Sequence, residues 1–137
     1  MKKFIFIFLI FFFVNANGSE LKSLEESFKN IKNQGEKSLL LMQRCSAIYG
    51  ALSTMPPVEL NINELETRYK IFLQSAINQA IDNEGSADEE KTYNDQLEIF
   101  KSSIIFFIQI FQQNYKKNNS YFKDTWIEND YEMCEKL

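Results

Sequence analysis

The chain has 137 residues and carries 19 acidic against 15 basic side chains, which gives a net charge of −4 with no histidine. A negative balance repels phosphate backbones, so we expect no nucleic-acid partner. The missing histidine removes Ser-His-Asp and Cys-His catalytic arrangements and histidine-bound zinc from consideration.

The N-terminal segment has the pattern of a secretory signal peptide. Lys2 and Lys3 precede an unbroken apolar run over residues 4–14, and Val14 and Ala16 occupy the positions that a signal peptidase reads. The run is shorter than the about 20 residues that a membrane-spanning helix needs, although a membrane anchor is the alternative. We predict a signal peptide over residues 1–16, with cleavage at about 16–19, and a single helical domain over 17–137.

Lysine outnumbers arginine 13 to 2 among the basic residues. This bias is typical of an AT-rich genome and, together with the form of the signal peptide, favours a bacterial source. We therefore predict a periplasmic or secreted protein with no stable membrane span after signal cleavage.

The sequence after the signal peptide begins with an apolar stripe at three- and four-residue steps, which predicts a helix. The stripe consists of Leu21, Leu24, Phe28 and Ile31. Ser23 with Glu26 forms a capping box at its start, and Gly35 is predicted to end it. One continuous helix from about 20 to 54 is the alternative, because the same stripe continues beyond residue 40.

The rest of the chain repeats this helical pattern. Further helices are predicted over about 36–55, 62–83, 87–117 and 120–136. Pro56-Pro57 stops the first of these, because proline lacks an amide donor. Asn61 provides the next N-cap, and Ser86 with Glu89 forms a capping box for the long helix that follows.

The long helix contains the sequence IIFFIQIF at residues 104–111, which is apolar nearly all round. This pattern predicts a central helix covered by its neighbours on most sides. No alternating strand pattern and no repeat is present in the sequence. We therefore predict an all-α fold, a small bundle of four to five helices stapled by one disulfide.

The two cysteines, Cys45 and Cys134, are expected to pair once export takes the chain into an oxidising compartment. The bridge would close a loop of roughly 90 residues, which in the chain-entropy model stabilises the folded state by about 4.6 kcal/mol. A redox-active pair needs close spacing such as Cys-x-x-Cys, which the chain lacks.

Few residues suggest chemistry. Glu64 with Glu66 and Glu128 with Asp130 are carboxylate pairs, but residues two apart on a helix do not face each other, so we predict solvated faces. The acidic loop 82–90 fails as an EF-hand, because the alignment puts Ala80 and Lys91 at ligand positions one and twelve. We predict no catalytic residue, no metal site, no cofactor and no enzyme activity.

Arg44 and Trp126 are the residues singled out as possible ligand or partner contacts. Arginine holds carboxylates bidentately where lysine does not, so Arg44 either forms an ion pair with a neighbouring helix or contacts an anionic ligand. Trp126 is the single tryptophan, and it is either a core anchor or an exposed partner contact.

The segments RCSAIYGALS and YEMCEKL place Tyr49 four residues after Cys45 and put Cys134 near the C-terminus. In this respect the chain resembles small exported helical two-cysteine proteins of marine alphaproteobacteria. The resemblance implies a structural disulfide and an exported location, and it brings no activity.

Together these features predict a small periplasmic helical binding or protein-interaction module without catalytic activity. Its partner is expected to be a protein or a small apolar ligand in the Phe-rich centre. The alternative is a periplasmic inhibitor or immunity-type protein that blocks an exported enzyme. A net charge of about −6 after loss of Lys2 and Lys3 would suit that role.

Overall fold

The computed structural model describes residues 21–55, 60–85 and 88–137, and these residues form five α-helices and no strand. The helices are α1 (Leu24–Asn30), α2 (Gln34–Ser53), α3 (Ile62–Glu84), α4 (Glu89–Asn118) and α5 (Ile127–Glu135). The predicted small all-α bundle is therefore confirmed. The predicted signal peptide at residues 1–16 and the stop at Pro56-Pro57 lie outside the described residues.

Two helices begin where the sequence predicted. The Ser23 hydroxyl accepts a hydrogen bond from the Glu26 amide at 3.2 Å and caps α1. The Asn61 side chain caps α3 by accepting from the Asn63 amide at 3.0 Å. Each cap satisfies an amide that has no partner within the helix.

The start of α4 differs from the prediction. Asp88 is the N-cap, and its carboxylate accepts from the Lys91 amide at 3.0 Å. Glu89 is therefore the first helical residue instead of the third, and Ser86 lies outside the described residues. A carboxylate is the favoured group here, because it accepts a charge-assisted hydrogen bond and faces the positive end of the helix dipole.

A break separates α1 from α2, as predicted, but Gly35 does not end α1. The first helix ends at Asn30, followed by Ile31 in an extended conformation. Asn33 then caps α2 by accepting from the Gly35 amide at 2.7 Å, so Gly35 lies in the first turn of α2. The asparagine cap, which the sequence analysis missed, sets the break two residues earlier.

The central helix is α2, and the prediction that α4 is central was wrong. Helix α2 packs against all four other helices, and residues 44–52 are buried without interruption. Small residues allow this close approach: a Cβ at Gly50 would lie 2.8 Å from the Ile104 Cδ1 atom. Helix α4 contributes Phe107 and Phe111 to the core from one side, whereas its Ile105 is 58% exposed.

The last helix is shorter than the 120–136 predicted, because a turn precedes it. Asn119 ends α4 in the left-handed conformation, which asparagine tolerates better than most residues. The Asn114 side chain, buried in α4, then donates to the Tyr121 carbonyl at 2.6 Å and so fixes the turn. Helix α5 begins only at Ile127, with Trp126 at its N-cap position.

The Cys45–Cys134 disulfide is present and joins the middle of α2 to the last turn of α5. The two Cα atoms lie 5.5 Å apart, and both cysteines are fully buried. The predicted staple is thus confirmed, and it holds the C-terminal helix on the central helix.

Candidate functional site

Arg44 lies inside the bundle and forms an ion pair with α5. Its Nη1 atom is 2.6 Å from the Asp130 Oδ2 atom, and its Nη2 atom donates to the Lys22 carbonyl at 3.0 Å. The side chain of Arg44 is only 5% exposed. An external anion would therefore have to displace Asp130 or the Lys22 carbonyl, and a ligand-binding role for Arg44 stays a prediction.

Asp130 is fully buried, so the prediction that it lies on a solvated face was wrong. Its Oδ1 atom accepts from the Leu24 amide at 2.9 Å, while Oδ2 faces Arg44. The sequence held a signal for this position, because Asp130 lies four residues before the buried Cys134 and so shares its helix face. Glu128, its proposed partner, is exposed.

Burial is the main influence on the titration of this pair. It raises the pKa of the Asp130 carboxyl, against the opposing effects of the Leu24 amide and the Arg44 charge. It lowers the pKa of the Arg44 guanidinium, which the Asp130 charge opposes. In both residues, the loss of hydration outweighs the attraction between the charges.

The structure brings Trp126 and Arg44 together. The Arg44 Cζ atom lies 5.1 Å from the centroid of the Trp126 ring, a cation–π distance. The indole also meets Phe107 edge-on, with the ring centroids 6.4 Å apart. Trp126 is half-buried against the core, and a partner-contact role for it stays a prediction.

A second polar cluster, which the sequence analysis did not identify, lies between α2, α3 and α5. Here the side chains line a cleft of about 130 Å³, called the α2–α3–α5 cleft below. The lining residues are Tyr49, Leu60, Asn61, Glu64, Leu65, Arg68, Tyr131 and Glu135.

Arg68 is the hub of the hydrogen bonds in this cleft. Its Nη1 atom donates to the Tyr49 hydroxyl at 3.0 Å and to the Glu135 carboxylate at 3.1 Å. Its Nε atom lies 3.3 Å from Glu64, one helical turn earlier on α3. The Tyr49 hydroxyl in turn donates to Glu135, so side chains from three helices form one network.

The disulfide explains why these groups meet. Tyr49 lies one turn after Cys45 on α2, and Glu135 directly follows Cys134 on α5. Closing the bridge therefore brings the Glu135 carboxylate to the Tyr49 hydroxyl. The sequence shows that Tyr49 follows Cys45 by four residues. No sequence pattern, however, indicates that Tyr49 contacts Glu135, which lies 86 residues away.

Both phenols in the cleft hold their protons strongly. Burial, reinforced by the hydrogen bond to Glu135, raises the pKa of Tyr49 well above its ordinary value. Burial and the Glu135 charge raise the pKa of Tyr131 to about 12. At neutral pH this cleft therefore offers neutral phenols and carboxylate acceptors.

Within residues 21–55, 60–85 and 88–137, no group of three or more His, Cys, Asp or Glu side chains is placed to hold a metal ion. In the same part of the chain, no helix combines the length and the apolar character needed to cross a membrane. Comparison with protein-family models, curated proteins and solved structures gave no match.

Proposed function

We propose that the protein is an exported, periplasmic helical binding module that acts by contact with another protein and catalyses no reaction. Its contact site is the α2–α3–α5 cleft. The observation that carries this proposal is the network of Tyr49, Arg68 and Glu135, whose charged members remain partly exposed. The Arg68 side chain is 31% exposed and that of Glu135 is 40% exposed.

Rigidity supports this role for the cleft. The disulfide at Cys134 fixes the backbone next to Glu135, and the Arg44–Asp130 ion pair holds the same helix one turn earlier. Groups held in place before binding lose little conformational freedom in a complex. A site on packed helices therefore presents its hydrogen-bonding groups at a low entropic cost.

The size of the cleft favours a protein partner over a small molecule. Its volume of about 130 Å³ is below the about 300–1,000 Å³ that is common for small-molecule sites. A cleft of this volume has room for a single side chain, and single side chains that fill pockets are the residues that contribute most to binding in protein interfaces. A small apolar ligand in the bundle centre stays a prediction, and native mass spectrometry of the purified protein tests it.

Photo-crosslinking in exporting cells tests the proposal. A benzoylphenylalanine at Leu60, on the wall of the cleft, is expected to give a discrete protein adduct. The same group at Gln109, exposed on α4, is the matched control and is expected to give none. Arg68→Met should weaken the Leu60 adduct, because it removes the hub of the network. Equal labelling at both positions, or no adduct at Leu60, would contradict the proposal.

The turn between α3 and α4 favours a second candidate, an inhibitor of a basic exported enzyme. Within residues 82–85 and 88–95, six exposed carboxylates are offset by one cation, Lys91. They are Asp82, Glu84, Asp88, Glu89, Glu90 and Asp95. Such a concentration of negative charge speeds association with a basic surface.

Inhibition assays separate this second candidate from the first. The purified protein would slow a basic periplasmic hydrolase in a salt-dependent way. Exchanging Glu89 and Glu90 for lysine would lower the association rate. Inhibition that is unaffected by salt and by this exchange would count against a role for the acidic turn.

A further inference from the structure

The sign of the charge in the α2–α3–α5 cleft indicates what it binds. Glu64 and Glu135 supply two negative charges, Arg68 supplies one positive charge, and both tyrosines are neutral at physiological pH. The net charge of the lining is therefore −1. The carboxylates are also the more accessible groups, since the Glu64 side chain is 60% exposed against 31% for Arg68.

An anionic ligand would meet strong competition in this cleft. The Arg68 guanidinium already contacts Glu64 at 3.3 Å and Glu135 at 3.1 Å. A carboxylate or phosphate would have to displace one of these partners and then lie beside the other. A cation instead meets the Glu64 and Glu135 carboxylates, which are partly exposed to solvent, and it displaces neither of them. Only the charge of Arg68 opposes it among the lining residues.

The walls and the volume restrict the cation further. Leu60, Leu65 and the Tyr131 ring provide apolar surface beside the carboxylates. Long cationic side chains combine an apolar stem with a charged head, and they bury the stem while the head stays near water. About 130 Å³ has room for such a head group with part of its stem.

We propose that the α2–α3–α5 cleft is a receptor site for one cationic side chain, lysine or arginine, that a partner protein presents. The inference rests on the proposed function and names the chemistry of the contact. Glu64 and Glu135 accept hydrogen bonds from the cation, while Leu60, Leu65 and Tyr131 contact its stem. Arg68 positions both carboxylates.

The probes are n-butylammonium and N-butylguanidinium, with butyrate as the anionic counterpart of equal stem length. Amide NMR spectra of the oxidised, exported chain are recorded at constant ionic strength. Either cation is expected to shift the amides of Tyr49, Arg68 and Tyr131 in a saturable way, and butyrate is not. The stronger of the two cations identifies lysine or arginine as the natural group.

Matched variants complete the test. Glu64→Gln is expected to weaken cation binding by about threefold, the scale of an exposed ion pair, without unfolding the chain. Glu132→Gln removes an exposed charge from α5 outside the cleft and is expected to leave binding unchanged. Equal losses in both variants would indicate only non-specific attraction and would overturn the inference.

The two proposals fail in different ways. Saturable binding of butyrate, or no shift with either cation, overturns the cationic receptor site even if a partner is crosslinked at Leu60. Binding of a cation without any crosslinked partner overturns the proposed function and leaves the chemistry of the cleft established.

Discussion

The Arg44–Asp130 ion pair joins three parts of the chain at the scale of single residues. Asp130 of α5 accepts from the Leu24 amide at the start of α1, and Arg44 of α2 also holds the Lys22 carbonyl. Both charged side chains are buried and hydrogen-bonded. Removing one partner of such a pair leaves the other as an uncompensated buried charge.

We therefore expect Arg44→Met to lower the free energy of unfolding by about 3–5 kcal/mol, the range for a broken buried pair. Urea unfolding monitored by circular dichroism measures this loss. The double variant Arg44→Met/Asp130→Leu should recover part of it, because no isolated charge remains. Recovery should be incomplete, since the Leu24 amide loses its acceptor.

A surface pair provides the matched control for this prediction. Lys101 and Glu98 also lie close together, at 2.7 Å, but both are exposed on α4. Lys101→Met is expected to change the free energy of unfolding by less than about 1 kcal/mol. If Arg44→Met costs no more than this control, the buried pair does not hold the helices together.

The raised pKa of Tyr131 predicts that the folded protein loses stability at alkaline pH. Its pKa in the folded chain is raised to about 12, against about 10 for an ordinary tyrosine. Between these values the unfolded chain has lost the proton that the folded chain retains, so unfolding releases a proton. The stabilisation is complete below about pH 10 and is lost as the pH rises towards 12.

Tyrosinate absorbance measured against pH checks this prediction. Tyr131→Phe should remove one tyrosine from the late-titrating absorbance, while the late titration of Tyr49 persists. Glu135→Gln should shift the late titration to lower pH by removing the neighbouring charge. Unfolding free energies should fall less steeply above pH 10 in Tyr131→Phe than in the parent chain. A late phase of undiminished amplitude in Tyr131→Phe would contradict the assignment to Tyr131.

At the scale of the elements, the stability of helix α5 depends on its contacts with the rest of the bundle. With nine residues, it is shorter than the about 12–15 residues that an isolated helix needs to be even marginal in water. Cys134 joins it to α2, and Ile127 and Asp130 bury the same face. Helix α5 is thus held by tertiary contacts and not by its own propensity.

Replacing both cysteines, Cys45→Ala/Cys134→Ala, should therefore release α5 first. The free energy of unfolding is expected to fall by up to about 4.6 kcal/mol, the chain-entropy value for a loop of this length. Hydrogen exchange followed by mass spectrometry should show lost protection in α5, with α2 and α3 still protected. Equal protection of α5 and α2 in this variant would contradict the proposed staple.

At the scale of the whole molecule, the disulfide links folding to the proposed export. The structure contains the bridge, and such bridges persist in oxidising compartments outside the cytosol. The bridge places α5 against α2, and it therefore helps to form both the Arg44–Asp130 ion pair and the α2–α3–α5 cleft. A reduced chain would therefore lose the cleft as well as stability.

Intact mass of the exported protein checks this link. We expect a chain that begins near residue 17, at the predicted cleavage position of about 16–19, and that lacks two hydrogens relative to the free thiols. Chemical labelling of thiols should find none before reduction. A product that retains Lys2 and Lys3, or one with two reactive thiols, would contradict the predicted maturation.

The sequence by itself determined the helices and the covalent link. Apolar spacing follows the 3.6-residue turn, so the presence of each helix could be predicted from the local sequence, and the caps at Ser23 and Asn61 are local hydrogen bonds. The disulfide was predictable because Cys45 and Cys134 are the only two cysteines. Its bridging of α2 to α5 then followed from where the two residues lie.

Only the tertiary structure decided which helix is central and which charges are buried. Periodicity shows that residues share a face, but not which face of another helix they meet. The apolar middle of α4 therefore suggested that α4 is the central helix. In the structure α2 holds that position, because small residues such as Gly50 let its neighbours approach closely. Asp130 and Glu135 find their partners on helices more than 60 residues away, and such contacts arise from packing, which local spacing does not encode.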